Sequence, residues 1–473
     1  MKSLLSPIRL RLRYRRGATP WVTVALLLAA HAVLAVDRPP LVVAARASDT
    51  TAMRALVDKG ANVNATEADG STALHWASYH DNLEAAALLI RAGANVDAAN
   101  DLGATPLWLA CINGSVPMVR ALLDAGANPN LALLRGETPL MAASRTGNPA
   151  VVELLLQKSA DVKATGARHQ TALMWAVAQR HPAVTRLLLA HGADLQARSD
   201  AWTYVMAVPP HGVPEYNRAI PHGNDTALMF AARVGDAESA RLLLDAGANP
   251  NDADAWGISA MVLAAHSGYR ELVELLLNRG ADVNSMAAGF SALHAAIMRR
   301  DEKLVATLLA HGADVNARLQ TWTPERRSSE DFNFAPALVG ATPFWLAARF
   351  TEPGVMRLLV AHGADPRFVH RVEYYQADIN DRRTAATTAL LAATGIGGGR
   401  AWVQIKPTER EPLMLDTVKL AIELGVDVNA ANSDGRTALD AAQALKYDSV
   451  IKYLVDHGAK NGAKPTETRR TTR

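Results

Sequence analysis

The sequence predicts an all-α repeat solenoid, a stack of about eleven helix-turn-helix units joined by β-hairpin-like finger loops, and two recurring motifs predict it. The first is a Gly-Ala-Asx step at Gly60, Gly93, Gly126, Gly192, Gly247, Gly280, Gly312 and Gly363, with variants at Ser159, Gly425 and Gly458. Successive spacings are 33, 33, 33, 33, 55, 33, 32, 51, 62 and 33 residues, so one 33-residue unit repeats and is interrupted by insertions. The second is a hydroxyl residue two before a large apolar one, at Thr72-Ala-Leu74, Thr105-Pro-Leu107, Thr138-Pro-Leu140, Thr171-Ala-Leu173, Thr226-Ala-Leu228, Ser291-Ala-Leu293, Thr342-Pro-Phe344 and Thr437-Ala-Leu439. Both motifs keep a fixed phase.

Each part of the unit has a physical reason. The hydroxyl caps the first helix, and proline at the first helical position costs no hydrogen bond. Paired small residues such as Ala142-Ala143, Ala231-Ala232 and Ala264-Ala265 let first helices approach closely. The second helix buries Leu122-Leu123, Leu187-Leu188-Leu189 or Leu275-Leu276-Leu277. The following glycine takes the left-handed C-cap conformation, and an Asx-Val-Asn step turns the chain into the finger.

These motifs resemble the ankyrin-repeat family, from about Leu41 to Lys460. The resemblance implies a curved stack with helices behind and fingers in front, used for protein binding. It also implies that the residue before the first small residue of helix one faces the concave groove. That position reads Trp76, Leu109, Ala142, Trp175, Phe230, Leu263, Ala295, Leu346, Ala392 and Ala441. Three residues on, the same face reads Tyr79, Ile112, Arg145, Ala178, Arg233, His266, Met298 and Arg349. An apolar stripe flanked by arginines suits an extended or helical peptide with apolar anchors and acidic neighbours.

Four segments break the period, at about 200–223, 318–339, 367–387 and 395–412. The first three lengthen fingers; the fourth falls between the two helices of its repeat and should emerge at their opposite end. With three repeats between them, the first two are expected about 30 Å apart, at roughly 10 Å per helix layer. These insertions hold Trp202, Tyr216, Trp322, Phe332, Tyr374 and Trp402, so they are expected to pack on the solenoid's own surface, on a partner, or on both. If they fold back over the groove, it is closed; if not, Trp76 and Trp175 are open. Gly397-Gly398-Gly399-Arg400 lacks the Lys-Ser/Thr ending of a phosphate loop and reads as a flexible turn.

Composition narrows the function classes. All six basic residues before residue 36 lie in Met1–Arg16, and without them 43 basic residues face 46 acidic ones. A mildly acidic body argues against a nucleic-acid binder. The basic start, the apolar run Trp21–Val36 and Val33-Leu34-Ala35 predict a signal peptide over 1–35, with an uncleaved membrane anchor as the alternative. The repeat domain then spans 36–460, and a disordered basic tail 461–473. The expected setting is periplasmic or extracellular.

Chemistry is sparse. The lone Cys111 sits at a small-residue position and reads as a core thiol. His75 and His294 follow the capped leucine, where the family resemblance implies bonding between repeats; His191, His311, His362 and His457 precede C-cap glycines. His211, His222 and His370 remain, in insertions. The sequence therefore predicts a non-catalytic scaffold with no cofactor and no metal, binding another protein or peptide. The alternatives are a small-ligand or glycan site at aromatics such as Trp202 and Trp322, and a hydrolytic or metal-dependent site from His211, Glu215, His222 and Glu325-Arg326-Arg327.

Overall fold

The computed structural model describes residues 38–206, 218–323, 332–376 and 381–462. The 1–35 leader, His211, Glu215, Tyr216, Glu325 to Arg327 and the tail from residue 463 lie outside the described residues. The described chain forms two units, one ending at Leu134 and the other starting at Arg135. Among the described residues no helix is long and apolar enough to cross a membrane.

The first unit holds three helix pairs: α1 (Pro40–Arg46) with α2 (Thr50–Asp58), α3 (Ala73–Tyr79) with α4 (Leu83–Arg91), and α5 (Pro106–Asn113) with α6 (Val116–Asp124). The second begins with α7 (Pro139–Thr146) and α8 (Pro149–Gln157), then α9 (Ala172–Ala178) and α10 (Pro182–Ala190). After them come α11 (Ala227–Val234), α12 (Ala237–Asp245), α13 (Ala260–Ser267), α14 (Arg270–Asn278), α15 (Ala292–Met298) and α16 (Glu302–Ala310). The last are α17 (Pro343–Arg349), α18 (Pro353–Ala361), α19 (Ala389–Ala393), α20 (Pro407–Glu423), α21 (Ala438–Leu445) and α22 (Asp448–Asp456). Two antiparallel hairpins complete it, β1 (Ala201–Met206) with β2 (Arg218–Gly223) and β3 (His370–Gln376) with β4 (Asp381–Thr387).

The caps form as the sequence requires except at Thr226, whose buried hydroxyl has no hydrogen-bond partner. The hydroxyls of Thr72, Thr105, Thr138, Thr171, Ser259, Ser291, Thr342, Thr388 and Thr437 accept the third helical amide, each contact worth about 1 kcal/mol. In the second unit each odd-numbered helix from α7 to α19 packs on the next. Alanines such as Ala143, Ala176, Ala231 and Ala264 are fully buried there, and a larger side chain would separate the backbones. Finger loops close on single antiparallel bridges, such as Thr66 with Thr72 and Ala431 with Thr437.

Where the finger ends in Asn, that side chain couples neighbouring repeats. Asn284 Oδ1 accepts from Asp314 N at 2.8 Å while its amide donates to Gly312 O at 3.1 Å, and Asn251 bonds Asp282 and Gly280 in the same way. The C-cap histidines point a ring nitrogen back at the helix. Nδ1 lies 2.8–2.9 Å from the carbonyl four residues earlier at His191, His311, His362 and His457. His75 spans two repeats, Nδ1 meeting Thr72 and Nε2 lying 2.9 Å from Ala104 O.

Three expectations for the insertions are corrected. Residues 407–412 are the first turns of α20, so the fourth insertion is 395–406. It emerges at the C-terminal end of α19, as expected, and from there crosses the inner helices: Trp402 N donates to Met298 O, and the Gly397–Gly399 run lies on Trp345, Ala337 and Leu338. That run is not a flexible turn. All three glycines have positive φ, and an added Cβ would stand 2.7–2.8 Å from those side chains, so only glycine fits. Finally, the first two insertions are not held apart along the stack, because Trp202 and Phe332 line one cavity. The Phe332 ring leaves water for the apolar surface of the inner helices, whereas Trp202 stays 40% exposed.

Candidate binding site on the inner face

In the first unit the stripe is partly engaged by its own chain. Trp76 is half-buried: the Arg46 guanidinium lies 4.7 Å from its ring, and its Nε1 donates to Glu67 Oε1 at 2.6 Å. Glu67 also pairs with Arg46 at 3.6 Å. Leu109 and Ile112 are half-buried, whereas Tyr79 is 55% exposed and meets Trp76 edge to face.

The second unit divides in two. From Arg145 to Arg233 the stripe reaches the surface. Trp175 and Phe230 are half-buried and Arg233 is exposed. The Arg145 guanidinium stands 5.4 Å over Trp175 and pairs with Glu137 at 3.0 Å. Arg46 and Arg145 each lie over the tryptophan one repeat further on, so these rings are lidded by arginine and not by insertions. Such contacts are worth about 0.5–1 kcal/mol at exposed sites, weak enough for a partner to replace.

Beyond that stretch the expected groove is closed, which removes Leu263, His266, Leu346 and Arg349 as open contacts. Leu263 is 4% exposed and Leu346 is fully buried. His266 packs on Phe332 at 4.1 Å and Trp402 at 4.8 Å between ring centroids. Phe334 reaches Phe290 at 4.9 Å, and Trp402 Nε1 donates to Asn333 O at 2.7 Å, which ties the second and fourth insertions together. Arg349 donates to Gly398 O and Gly399 O, and burial pushes its guanidinium down to about 10. The aromatic insertions thus serve partly as core.

Where the open and closed stretches meet lies a cavity of about 230 Å³. It is lined by Trp202, His222 and Gly223 of the first hairpin, by Phe230 and Leu263 of the inner helices and by Phe332 of the second insertion. Gly223 pairs with Ala201 across the hairpin, and a Cβ on it would fall 2.6 Å from the Trp202 ring. Three successive finger turns supply the polar rim, with Arg168, Asp225 and Asp254. Arg233 donates to Asp225 Oδ1 at 3.1 Å; Arg168 stands 4.6 Å over Trp202. Asp254 Oδ1 accepts from Trp256 N and Ile258 N, both at 2.8 Å, yet burial pushes its carboxyl up to about 6.

The sequence named Trp202, His222, Phe230, Arg233, Leu263 and Phe332 of this cavity but missed Arg168, Asp254 and Trp256. One signal was available: where neighbouring fingers carry Gly70, Gly103 and Gly136, this finger carries His169, with φ of 52° after Arg168 at 57°. Tyr374 lines a separate, more polar cavity of about 440 Å³ under the second hairpin, and Trp322 is half-buried at the base of the second insertion. His370 is structural: it is 1% exposed, stacks 4.4 Å from Trp345 and meets Val339 O through Nε2, and burial lowers its basicity. Among the described residues no cluster of three or more His, Cys, Asp or Glu is placed to hold a metal.

Comparison with known proteins agrees with this architecture. The sequence pattern described as "Ankyrin repeats (3 copies)" matches overlapping stretches 22–100, 41–132, 88–166, 107–199 and 228–318, more than half of the chain. Dynein axonemal heavy chain 12 of Bos taurus is 46% identical over 59 residues, which are 12% of this chain and 16% of that protein. An ankyrin repeat-containing protein of Treponema pallidum (strain Nichols) is 46% identical over 57 residues, 12% of this chain and 19% of that protein. The chain thus spans under a fifth of the length of these curated relatives. The crystal structure of the human ASB11 ankyrin repeat domain matches at 29% identity with a TM-score of 0.43, covering 52% of this chain and 99% of that one. Ankyrin repeats generally mediate protein–protein binding, and with that match over more than half of its length this chain belongs to the ankyrin-repeat family.

Proposed function

We propose that the protein is a non-catalytic, exported scaffold that captures a protein or peptide along the inner face of its second unit, between Arg145 and Arg233. One observation carries this reading. In that stretch Trp175 and Phe230 reach the surface beside arginines, while the equivalent positions further on are covered by insertions. Half-buried aromatics flanked by Arg are the residue types that dominate binding energy at interfaces. An extended segment with apolar anchors and acidic neighbours fits them. The periplasmic or extracellular setting rests on the sequence of the first 35 residues alone, and N-terminal sequencing of exported protein tests it, with a mature start at Val36 expected.

The scaffold reading is tested by selecting binders from a displayed random-peptide library and measuring their affinity for Trp175→Ala/Phe230→Ala. Loss of two such anchors should cost 2 kcal/mol or more, roughly thirtyfold. Arg186→Ala on the exposed face of α10 is the control and should change nothing. Selected peptides that bind the double variant as tightly as the native chain would remove the groove from the account.

A further inference from the structure

The cavity beside Phe230 contains two charges that the fold does not need. At the turn position of Asp254, other fingers carry Asn100 and Asn432, and these accept the same two amide hydrogens: Leu102 N and Ala104 N at 3.0 and 2.9 Å, Asp434 N and Arg436 N at 3.1 and 2.8 Å. The turn requires one side-chain oxygen and no charge. Asp254 nevertheless places a carboxylate in a desolvated site, where no arginine or lysine pairs with it within 4 Å among the described residues. Arg233, whose charge acts on Asp254, is already paired with Asp225. Arg168 is the opposite case. Its guanidinium has the Trp202 ring beneath it and no carboxylate paired with it among the described residues.

The backbone carrying Arg168 is itself unusual. Arg168 and His169 both adopt left-handed φ at a turn where the preceding fingers place glycine, and His169 is held there by Asp200 at 2.5 Å. Left-handed conformations in bulky residues are costly and concentrate where geometry serves a ligand. The rings of Phe230, Trp256 and Phe332 line the same cavity as the two charges. At about 230 Å³ the cavity falls below the roughly 300–1,000 Å³ of drug-sized sites and has room for one small molecule.

We propose that this cavity binds a small zwitterion, a free α-amino acid with an apolar or aromatic side chain, its ammonium facing Asp254, its carboxylate facing Arg168 and its side chain against the three rings. The site goes beyond the peptide-docking reading and does not depend on it.

Calorimetry on the full chain with L-phenylalanine, L-leucine, N-acetyl-L-phenylalanine and L-phenylalaninamide tests the proposal. A free amino acid should bind one per chain. Blocking either its ammonium or its carboxylate should weaken binding at least tenfold. Asp254→Asn should lose as much for L-phenylalanine as N-acetylation does and lose nothing more with the N-acetyl compound; Arg168→Gln should behave likewise toward the amide. Asn at 254 keeps the turn, as Asn100 and Asn432 show, and unchanged far-UV dichroism verifies it. Affinity should also fall as pH drops through about 6, because protonation removes the negative charge that meets the ammonium. The other charged or titratable groups lining the cavity are Arg168, Asp225, Arg233 and His222, so His222→Gln must retain that pH dependence and Asp254→Asn must lose it. No binding of either amino acid at millimolar concentration, or undiminished binding of a blocked compound, overturns the assignment. Peptide capture that still responds to Trp175→Ala would show that only the zwitterion site had failed.

Discussion

Trp402→Ala tests whether the insertions close the inner face as a unit. Trp402 is half-buried, with ring centroids 5.2 Å from Phe334, 6.0 Å from Phe332 and 4.8 Å from His266. Truncating a buried Trp costs about 3–5 kcal/mol, and half burial reduces that to about 2. The lost Nε1 bond to Asn333 O adds about 1 kcal/mol. The total of about 2–3 kcal/mol should appear locally, because a repeat array is stabilised by its nearest neighbours. Hydrogen exchange is therefore the assay. The reporting amides are Thr323 N, bonded to Phe334 O, Leu319 N, bonded to Ala341 O, and Gly340 N, bonded to Leu319 O. Where local opening governs exchange, they should exchange about 30- to 150-fold faster, while amides of α7 to α10 keep their rates. Trp402→Phe keeps a ring and loses the hydrogen bond, so about fivefold is expected. Unchanged rates at all three amides in Trp402→Ala would refute the claim that the fourth insertion holds down the second.

Three further perturbations have defined outcomes. Glu352 is 7% exposed, its Oε1 lacks a hydrogen-bond partner, and burial pushes its carboxyl up to about 8 despite Arg300 nearby. Its folded pKa lies above the unfolded value of 4.5, so the stability it confers is whole below pH 4.5 and lost as pH rises through about 8. Thermal melts should show native stability falling across that window and Glu352→Gln falling less; parallel curves would contradict this. Asn284→Ala removes both bonds to the next finger and should cost about 1–2 kcal/mol in chemical denaturation, with amides near Asp314 exchanging faster. Cys111 is fully buried and burial pushes its thiol up, so iodoacetamide should label it only after unfolding; rapid labelling of native protein would show an open core.

What the sequence made legible was local. The 33-residue period, the Thr72-type caps, the small inner residues and the left-handed glycines each act within one or two turns, so their signals survive in a linear reading. The insertions were legible as aromatic and as unlike linkers, but not in their destination. Trp402 meets Asn333, 69 residues earlier, and a contact of that range leaves no periodic trace. The Gly397–Gly399 run misled because glycine serves both freedom and close approach, and the Trp345 ring decides between them. Arg145 over Trp175 could be found only by aligning repeats with an offset of one, since each residue alone fits an unpaired groove position. The charge of Asp254 was hidden for another reason: Asn and Asp are interchangeable in an Asx turn, so the residue type looks fully explained before its burial is known.

The closure of one stretch bears on the function of the other. An inner face apolar along all its repeats would present a long hydrophobic strip, which folded chains rarely leave in water. Here the second and fourth insertions cover Leu263, Met298 and Leu346, and Phe334, Trp402 and Arg349 bind them in place. Had burying apolar surface been the only requirement, Trp175 and Phe230 would be covered in the same way, since the first hairpin already passes beside Phe230. Instead Trp175 is half-buried beneath a displaceable arginine. Phe230 lines the cavity that holds the charges of Arg168 and Asp254, and Trp175 occupies the same position one repeat earlier. A partner peptide on Trp175 and a small molecule beside Phe230 would therefore share one ring. Any free energy with which one alters the affinity of the other must be returned in the reverse experiment, so peptide titrations with and without L-phenylalanine and the converse titrations should give one coupling factor.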